Sequence, residues 1–488
     1  MGSSIASSSQ HSILFGIFKN PRSFLSRRIS RYFYLRFVVE RVTEESVLMK
    51  IIFLLLPFMI TSLTLSLLAQ PAANETSPSD WTFHFQQTII TQYHPHFSAK
   101  YSGQNSLDTS EPAQTSVTST FFVGKRLWDG TEIYFVPELA GGNGMSGTKG
   151  AAGFPNGETY RIGDPAPQVT VSRIFIRQTF ALSNRDTMFS DDVDQIAGLQ
   201  PSKRLTLIFG KISMTDYFDN NSYSHDPRSQ FMNWALMSNG AWDYPANTRG
   251  YTWGFVGELS LSPWAFRISG AMVPAEANMS VMDQNIGKAN SETMEIERSY
   301  EIGSQKGVIR ALGFYTEARM GNYEQALQMP PGQIDIVQTR EYGRTKHGFG
   351  LNIEQAFSDN IGFMLRAGWN DGKNETWMFT EIDRTISSAL LLDGALWQRK
   401  GDNIGIALAL NGISQDHRNY LQAGGYGFII GDGKLNYSPE FITELFYEFS
   451  LPEFHLFLTP DYQFVLHPAY NADRGPVHVL GMRAHIGF

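Results

Sequence analysis

Two arginines four residues apart, Arg173 and Arg177, sit in the stretch SRIFIRQTF, where Ile174 and Ile176 take alternate positions. In an extended chain that spacing puts both guanidiniums on one face, about 13 Å apart at the usual strand rise. Each offers several fixed donors and stays charged at any physiological pH, so the pair suits paired oxygen groups. The same parity puts Arg267, Arg366 and Arg483, with Glu258, Glu354, Glu444 and Glu448, on the polar faces of other alternating stretches. Where strands enclose a lumen, rings of such charges tune what passes. Trp234 and Trp242 lie in segment 213–250, too long for a structureless connection and expected to fold on itself across the mouth.

Other constellations carry less. His94 and His96 could share one strand face as metal ligands, but no third ligand is evident, and no metal or cofactor is expected. Ser224, His225 and Asp226 are consecutive and cannot form a catalytic relay. Gly142 to Lys149 lacks the ending of a phosphate loop, and Gly144-Met145-Ser146-Gly147 misses a nucleophile elbow by one residue. No enzymatic activity is expected. A lipid hydrolase would need Ser and His on an outer face, whereas His84, Ser260 and His485 fall on the inner parity.

The elements that position these charges follow from pattern. The chain has 488 residues, 39 basic against 47 acidic, with 13% aromatics, 44 Gly and no Cys. Disulfides and thiolate sites are excluded, and the acidic balance disfavours nucleic acid as a partner. A mean hydropathy of -0.22 is too polar for a bundle of membrane helices. Behind Met49-Lys50 the run from Ile51 to Ala69 is uncharged and apolar, the layout of an export signal ending near Gln70. Residues 1–48 carry Glu44 and Glu45 shortly before Met49, which do not suit a basic leader. We expect 1–48 to be a mis-called extension, 49–69 the signal and 70–80 a short periplasmic start. Removing 1–69 takes 8 basic and 3 acidic groups, leaving 31 against 44, about -13.

Beyond residue 80 the period becomes two. Trp81, Phe83 and Phe85 alternate with Thr82, His84 and Gln86; Ile404, Ile406, Leu408 and Leu410 alternate with small and polar residues; Leu480, Met482, Ala484, Ile486 and Phe488 close the chain. Several such strands run about ten residues, right for crossing an outer membrane at a tilt. Aromatics at strand ends and a Gly- and charge-rich opposite face favour a barrel over a soluble sandwich. Strands are expected near 81–92, 116–126, 131–138, 169–182, 203–212, 251–261, 264–273 and 292–302. The others are expected near 306–318, 345–357, 361–369, 376–390, 403–412, 439–450, 455–465 and 477–488. The fold class is therefore all-β, a transmembrane antiparallel barrel of about sixteen strands over 81–488. Both ends lie in the periplasm and the long loops outside. The connection 183–202 is long for a periplasmic turn and has no account at this level.

Longer stretches resemble the carbohydrate-selective porin family of Gram-negative outer membranes, the OprB-like porins. They include WTFHFQQTIITQYHPHFSAKYSGQNSL (81–107), GKRLWDGTEIYFVPELAGGNGMSGTKGAAGFPNGETYRIG (124–163), RIFIRQTF (173–180) and SYSHDPRSQFMNWALMSNGAWDYPANTRGYTWG (222–254). GFGLNIEQAFSDNIGFMLRAGWNDG (348–372), DHRNYLQAGGYGFIIGDGKLNYSPE (416–440) and PAYNADRGPVHVLGMRAHIGF (468–488) continue it. The resemblance implies passive diffusion of monosaccharides or small oligosaccharides; a general porin for small hydrophilic solutes is the alternative. A sugar has apolar ring faces and a girdle of hydroxyls, so a selective pore needs aromatic surface and planar charged groups. Arg173, Arg177, Glu258, Arg267, Arg366, Glu444, Glu448, Trp234 and Trp242 are the expected pore-lining set. Outer-membrane lipid and lipopolysaccharide would surround the barrel, and the assembly machinery would read the terminal Phe488. A homo-oligomer remains open.

Overall fold

The computed structural model describes residues 79–160 and 166–488, so the expected extension and signal lie outside the described residues. The first strands are β1 (Trp81–Tyr93), β2 (Gln114–Trp128), β3 (Thr131–Gly142) and β4 (Gln168–Ala181). A small hairpin follows, β5 (Asp186–Phe189) and β6 (Gly198–Pro201). Then come β7 (Lys203–Ile212), β8 (Thr252–Leu261), β9 (Trp264–Met272), β10 (Asn290–Ile302), β11 (Gln305–Ala318) and β12 (Arg344–Ser358). The last six are β13 (Ile361–Asn370), β14 (Arg384–Asp393), β15 (Asn403–Gly412), β16 (Glu440–Leu451), β17 (Leu456–Leu466) and β18 (Val477–Gly487).

All strands but β5 and β6 form one closed antiparallel barrel of 16, with β1 paired to β18 from Gln86↔Gly487 to Tyr93↔Leu480. Closure leaves no unpaired edge in the hydrocarbon. Alternation sets which face meets lipid: Phe209, Met294, Phe349 and Ile268 are more than half exposed on the outer wall. Stacked pairs such as Trp81–Phe83, Trp264–Phe266 and Phe349–Trp369 lie at strand ends, as an interfacial girdle requires. Among the described residues no helix is long and apolar enough to cross a membrane.

The buried apolar core lies inside the barrel, because segment 213–251 folds into it. Phe218, Phe231, Leu236 and Trp242 are at most 1% exposed, and a one-turn helix α1 (Trp234–Met237) is capped by Asn233. Each such side chain contributes about 1.5–3 kcal/mol of burial. Inward carboxylates meet the inserted backbone. Glu440 accepts from the Gly153 and Ala152 amides at 2.7 and 3.0 Å, and Glu444 accepts from Met232 and Asn233 at 2.6 and 3.0 Å.

One strand differs from expectation. The stretch expected to pair from 376 is loop as far as Asp383, and β14 starts at Arg384. Asp243 draws it inward by accepting from the Trp377, Met378 and Phe379 amides at 2.8, 2.8 and 2.9 Å, in place of ladder bonds. The 183–202 connection is the β5–β6 hairpin, and β4 pairs directly with β7.

Candidate pore constriction

Arg173 and Arg177 both point into the lumen from β4, while Ile174, Ile176 and Phe180 are exposed on the outer side. Between them Phe175 stacks on Tyr134 of β3, centroids 4.8 Å apart. Glycines make room for the two rings. Register runs Gly124↔Tyr134, Tyr134↔Phe175 and Phe175↔Gly210 across β2, β3, β4 and β7. A Cβ on Gly124 would lie 2.6 Å from the Tyr134 ring, and one on Gly210, at φ 145, would lie 2.2 Å from the Ile174 oxygen. The stack underlies Arg177, whose guanidinium sits 4.9 Å above the Tyr134 ring.

Charge pairs fix each arginine. Arg173 makes a two-pronged pair with Asp216 of segment 213–251, Nε and Nη2 donating at 2.6 and 2.8 Å, and rests 5.3 Å over the Tyr251 ring. Arg177 donates through Nη1 to the Tyr134 oxygen at 3.0 Å, to the Asp194 carbonyl at 3.0 Å and to Glu132 at 3.3 Å. Also on the cavity border, Arg228 donates to Glu158 and Glu138 at 3.0 and 3.1 Å, and the Tyr251 hydroxyl donates to Glu138 at 3.0 Å. Burial pushes the Asp194 carboxyl up to about 6 and the Asp216 charge adds to it, against the pull of Arg173 and Arg177.

These groups border a cavity of about 690 Å³. It reaches from outer-loop residues such as Asn247 and Arg249 down to Asp192–Gln195 of the periplasmic hairpin. Both signs of charge line it, with Arg173, Arg177 and Arg228 set among Glu138, Asp194 and Asp216. A polyhydroxylated solute can exchange donors and acceptors along such a wall, whereas an ion meets alternate attraction and repulsion.

The expected set divides here. Arg173, Arg177 and Trp234 border the cavity, the Trp234 indole N–H donating to the Asn156 oxygen at 3.0 Å. Arg366, Glu444, Glu448 and Trp242 do not: the inserted loop covers the first three, and Trp242 is buried within that loop. Arg366 is 0% exposed; it donates to Leu236, Ser224 and Asp219 carbonyls at 2.6, 2.7 and 3.0 Å and pairs with the Asp219 carboxylate at 3.0 Å. Glu448 pairs with Arg483 at 3.2 Å, and Trp242 packs edge-on to Phe218. Glu258 and Arg267 face inward too, outside the cavity. Arg267 joins Glu258, Glu295 and Glu297 at 2.7, 2.8 and 2.9 Å, and Arg310 continues the belt to Glu297 and Glu354. Strand parity gave direction for these residues but not access.

Sequence reasoning missed Glu138, Asp194, Asp216, Arg228 and Tyr251. Four of them lie on or beside loops, where no period exists to read. The one signal for Asp194 was the unexplained length of its connection.

The fold matches the high-pH structure of Pseudomonas putida OprB with a TM-score of 0.63 at 15% identity, over 84% of this chain and 94% of that one. The outer membrane channel DcaP of Acinetobacter baumannii matches at 0.45 and 9% identity, over 84% and 97%. Among curated proteins none matches. The model of the carbohydrate-selective porins, the OprB family, matches residues 124–488, and with a 16-stranded barrel around a charged lumen the chain belongs to that family.

Proposed function

We propose that sugars cross this outer-membrane porin by passive diffusion through the 690 Å³ cavity, with Arg173 and Arg177 as its principal donors. One observation carries the reading. The cavity runs from the outer loops to the periplasmic hairpin, and two guanidiniums held by Asp216, Tyr134 and Glu132 are presented on its wall. Fixed donors cost little reorganisation when a hydroxyl arrives, and their carboxylate partners cancel long-range steering of ions. Monosaccharides and small oligosaccharides are the solutes this wall suits. The barrel does no bond chemistry and needs no cofactor on this reading.

The finer assignments belong to the same proposal. Export through the signal at 49–69 delivers the chain, and the C-terminal Phe488 is what the assembly machinery engages. Its carbonyl accepts from the Phe85 amide at 2.8 Å, tying the last residue to the first strand. Lipopolysaccharide contacts the outer rim, and association into a homo-oligomer is read out by native mass.

Liposome swelling with glucose, a disaccharide and an amino acid of similar size tests the function. Faster entry of the sugars is expected. Equal rates for all three would make the protein a general diffusion porin.

A further inference from the structure

The hairpin between β4 and β7 does not hang free below the barrel. Ile196 and Ala197 near its tip are 0% and 2% exposed. Arg126 Nη2 donates to the Ala197 oxygen at 3.2 Å, and His84 Nε2 lies 3.3 Å from Asp191. The tip thus rises into the lumen from the periplasmic side and meets the cavity floor. Outer-membrane barrels usually make short turns on that side.

Asp194 stands at the tip with φ 54, a left-handed conformation that turns its carbonyl toward Arg177 and its carboxylate toward Arg173. Oδ2 lies 3.5 Å from Arg173 Nε. Oδ1 is buried and has no hydrogen-bond partner. Buried acceptors are normally satisfied, and one left unpaired at the border of a cavity marks a place for an incoming donor. A neutral hydroxyl can supply that donor. An anionic solute would meet a carboxylate instead.

Resting on the reading of this cavity as the sugar path, we propose that hairpin 182–202 is the periplasmic jaw of the constriction. Asp194 is its specificity-determining residue, accepting a hydrogen bond from a passing sugar hydroxyl beside the Arg173 and Arg177 donors. The substrate class is accordingly neutral sugars in preference to acidic ones.

The absence of cysteine from the chain makes a direct test available. The mature protein is reconstituted in planar bilayers as wild type, Val193→Cys, Asp194→Asn and Asp194→Glu, each checked for heat-modifiable gel migration. Val193 borders the cavity and is 41% exposed, so its replacement leaves packing intact. A bulky thiol reagent should at least halve the Val193→Cys current and leave wild type unchanged. Asp194→Asn should raise the glucose concentration for half-block about three- to tenfold, because the carboxamide oxygen still accepts but without the charge that strengthens the bond. It should also raise the anion-to-cation permeability ratio, and Asp194→Glu should bring that ratio back toward wild type. Complete labelling of Val193→Cys with unchanged current would put the hairpin outside the path. Unchanged block and selectivity in Asp194→Asn would remove Asp194 from the site. Wild-type channels that conduct ions but show no sugar block would sink the sugar reading instead, while the thiol and selectivity results still decide the jaw.

Discussion

Arg177 and Tyr134 form a single unit across the β3–β4 pair: the guanidinium lies 4.9 Å over the ring and its Nη1 donates to the phenol oxygen at 3.0 Å. That oxygen in turn donates to Glu132 at 2.8 Å. The arginine is thereby aimed from below and from the side, and the ring is seated by Gly124. Tyr134→Phe keeps the platform and removes the oxygen, a loss of about 0.5–1.5 kcal/mol of positioning. Sugar block should weaken by less than tenfold. Gly124→Val, which drives a side chain into the ring, should weaken it more. The reverse order in noise analysis of the blocked current would separate Arg177 from its platform.

Arg173→Ala and Arg177→Ala should each raise single-channel conductance and weaken sugar block, with the barrel still assembled. Arg173→Ala should have the larger effect on conductance, because it also releases Asp216 and with it the start of segment 213–251. If neither variant alters block or selectivity, recognition lies elsewhere along the cavity, with Trp234 the next residue to replace.

Ion selectivity should depend on pH through Asp194, whose carboxyl is pushed up to about 6 by burial. Above that pH the group is a carboxylate beside two guanidiniums. Below it the negative charge is lost while the arginines keep theirs, so the wall becomes more positive. Reversal potentials measured at pH 7.5 and pH 5 should show anion preference rising as the pH falls. A flat profile would show that Asp194 does not titrate in this range, and one that persists unchanged in Asp194→Asn assigns the titration to another group.

Arg366→Met should destabilise the barrel by about 3–5 kcal/mol, because it leaves the Asp219 carboxylate buried without its partner. Pairing it with Asp219→Asn should recover part of that loss. Heat-modifiable migration across a temperature series reports both. Conductance should also rise as the loop loses the three carbonyl contacts that Arg366 makes.

Mature protein taken from outer membranes should begin near Gln70, since the uncharged run from Ile51 to Ala69 has the layout of a cleaved export signal. Intact mass measures this directly. A mass that includes residues 1–48 would overturn both the cleavage site and the reading of that extension.

Period-two alternation is a property of neighbours along the chain, and it made most of the barrel legible. Trp81 to Phe85, Ile404 to Leu410 and Leu480 to Phe488 each declared one apolar face, and a barrel of about sixteen strands followed. It also set the direction of Arg173 and Arg177, because a side chain next to a lipid-facing Ile must point the other way. Where alternation is weak the reading strayed. β14 was placed too early because its apolar residues do not reveal that Asp243, more than a hundred residues away, captures the preceding amides.

Access to the lumen is a different kind of property. Arg177 and Arg366 share the same inward parity, yet one borders the cavity and the other is sealed under a loop. That difference arises when segment 213–251 enters the barrel, buries Phe231 and Trp242, and turns its carbonyls onto Arg366 and its amides onto Glu444. The hairpin tip that carries Asp194 enters from the opposite side. Such docking depends on contacts between residues far apart in sequence, each gaining free energy only once the barrel has closed around it. Sequence alone therefore determined the wall of this protein and which way its charges face, and only the tertiary structure decided which of them a solute can touch.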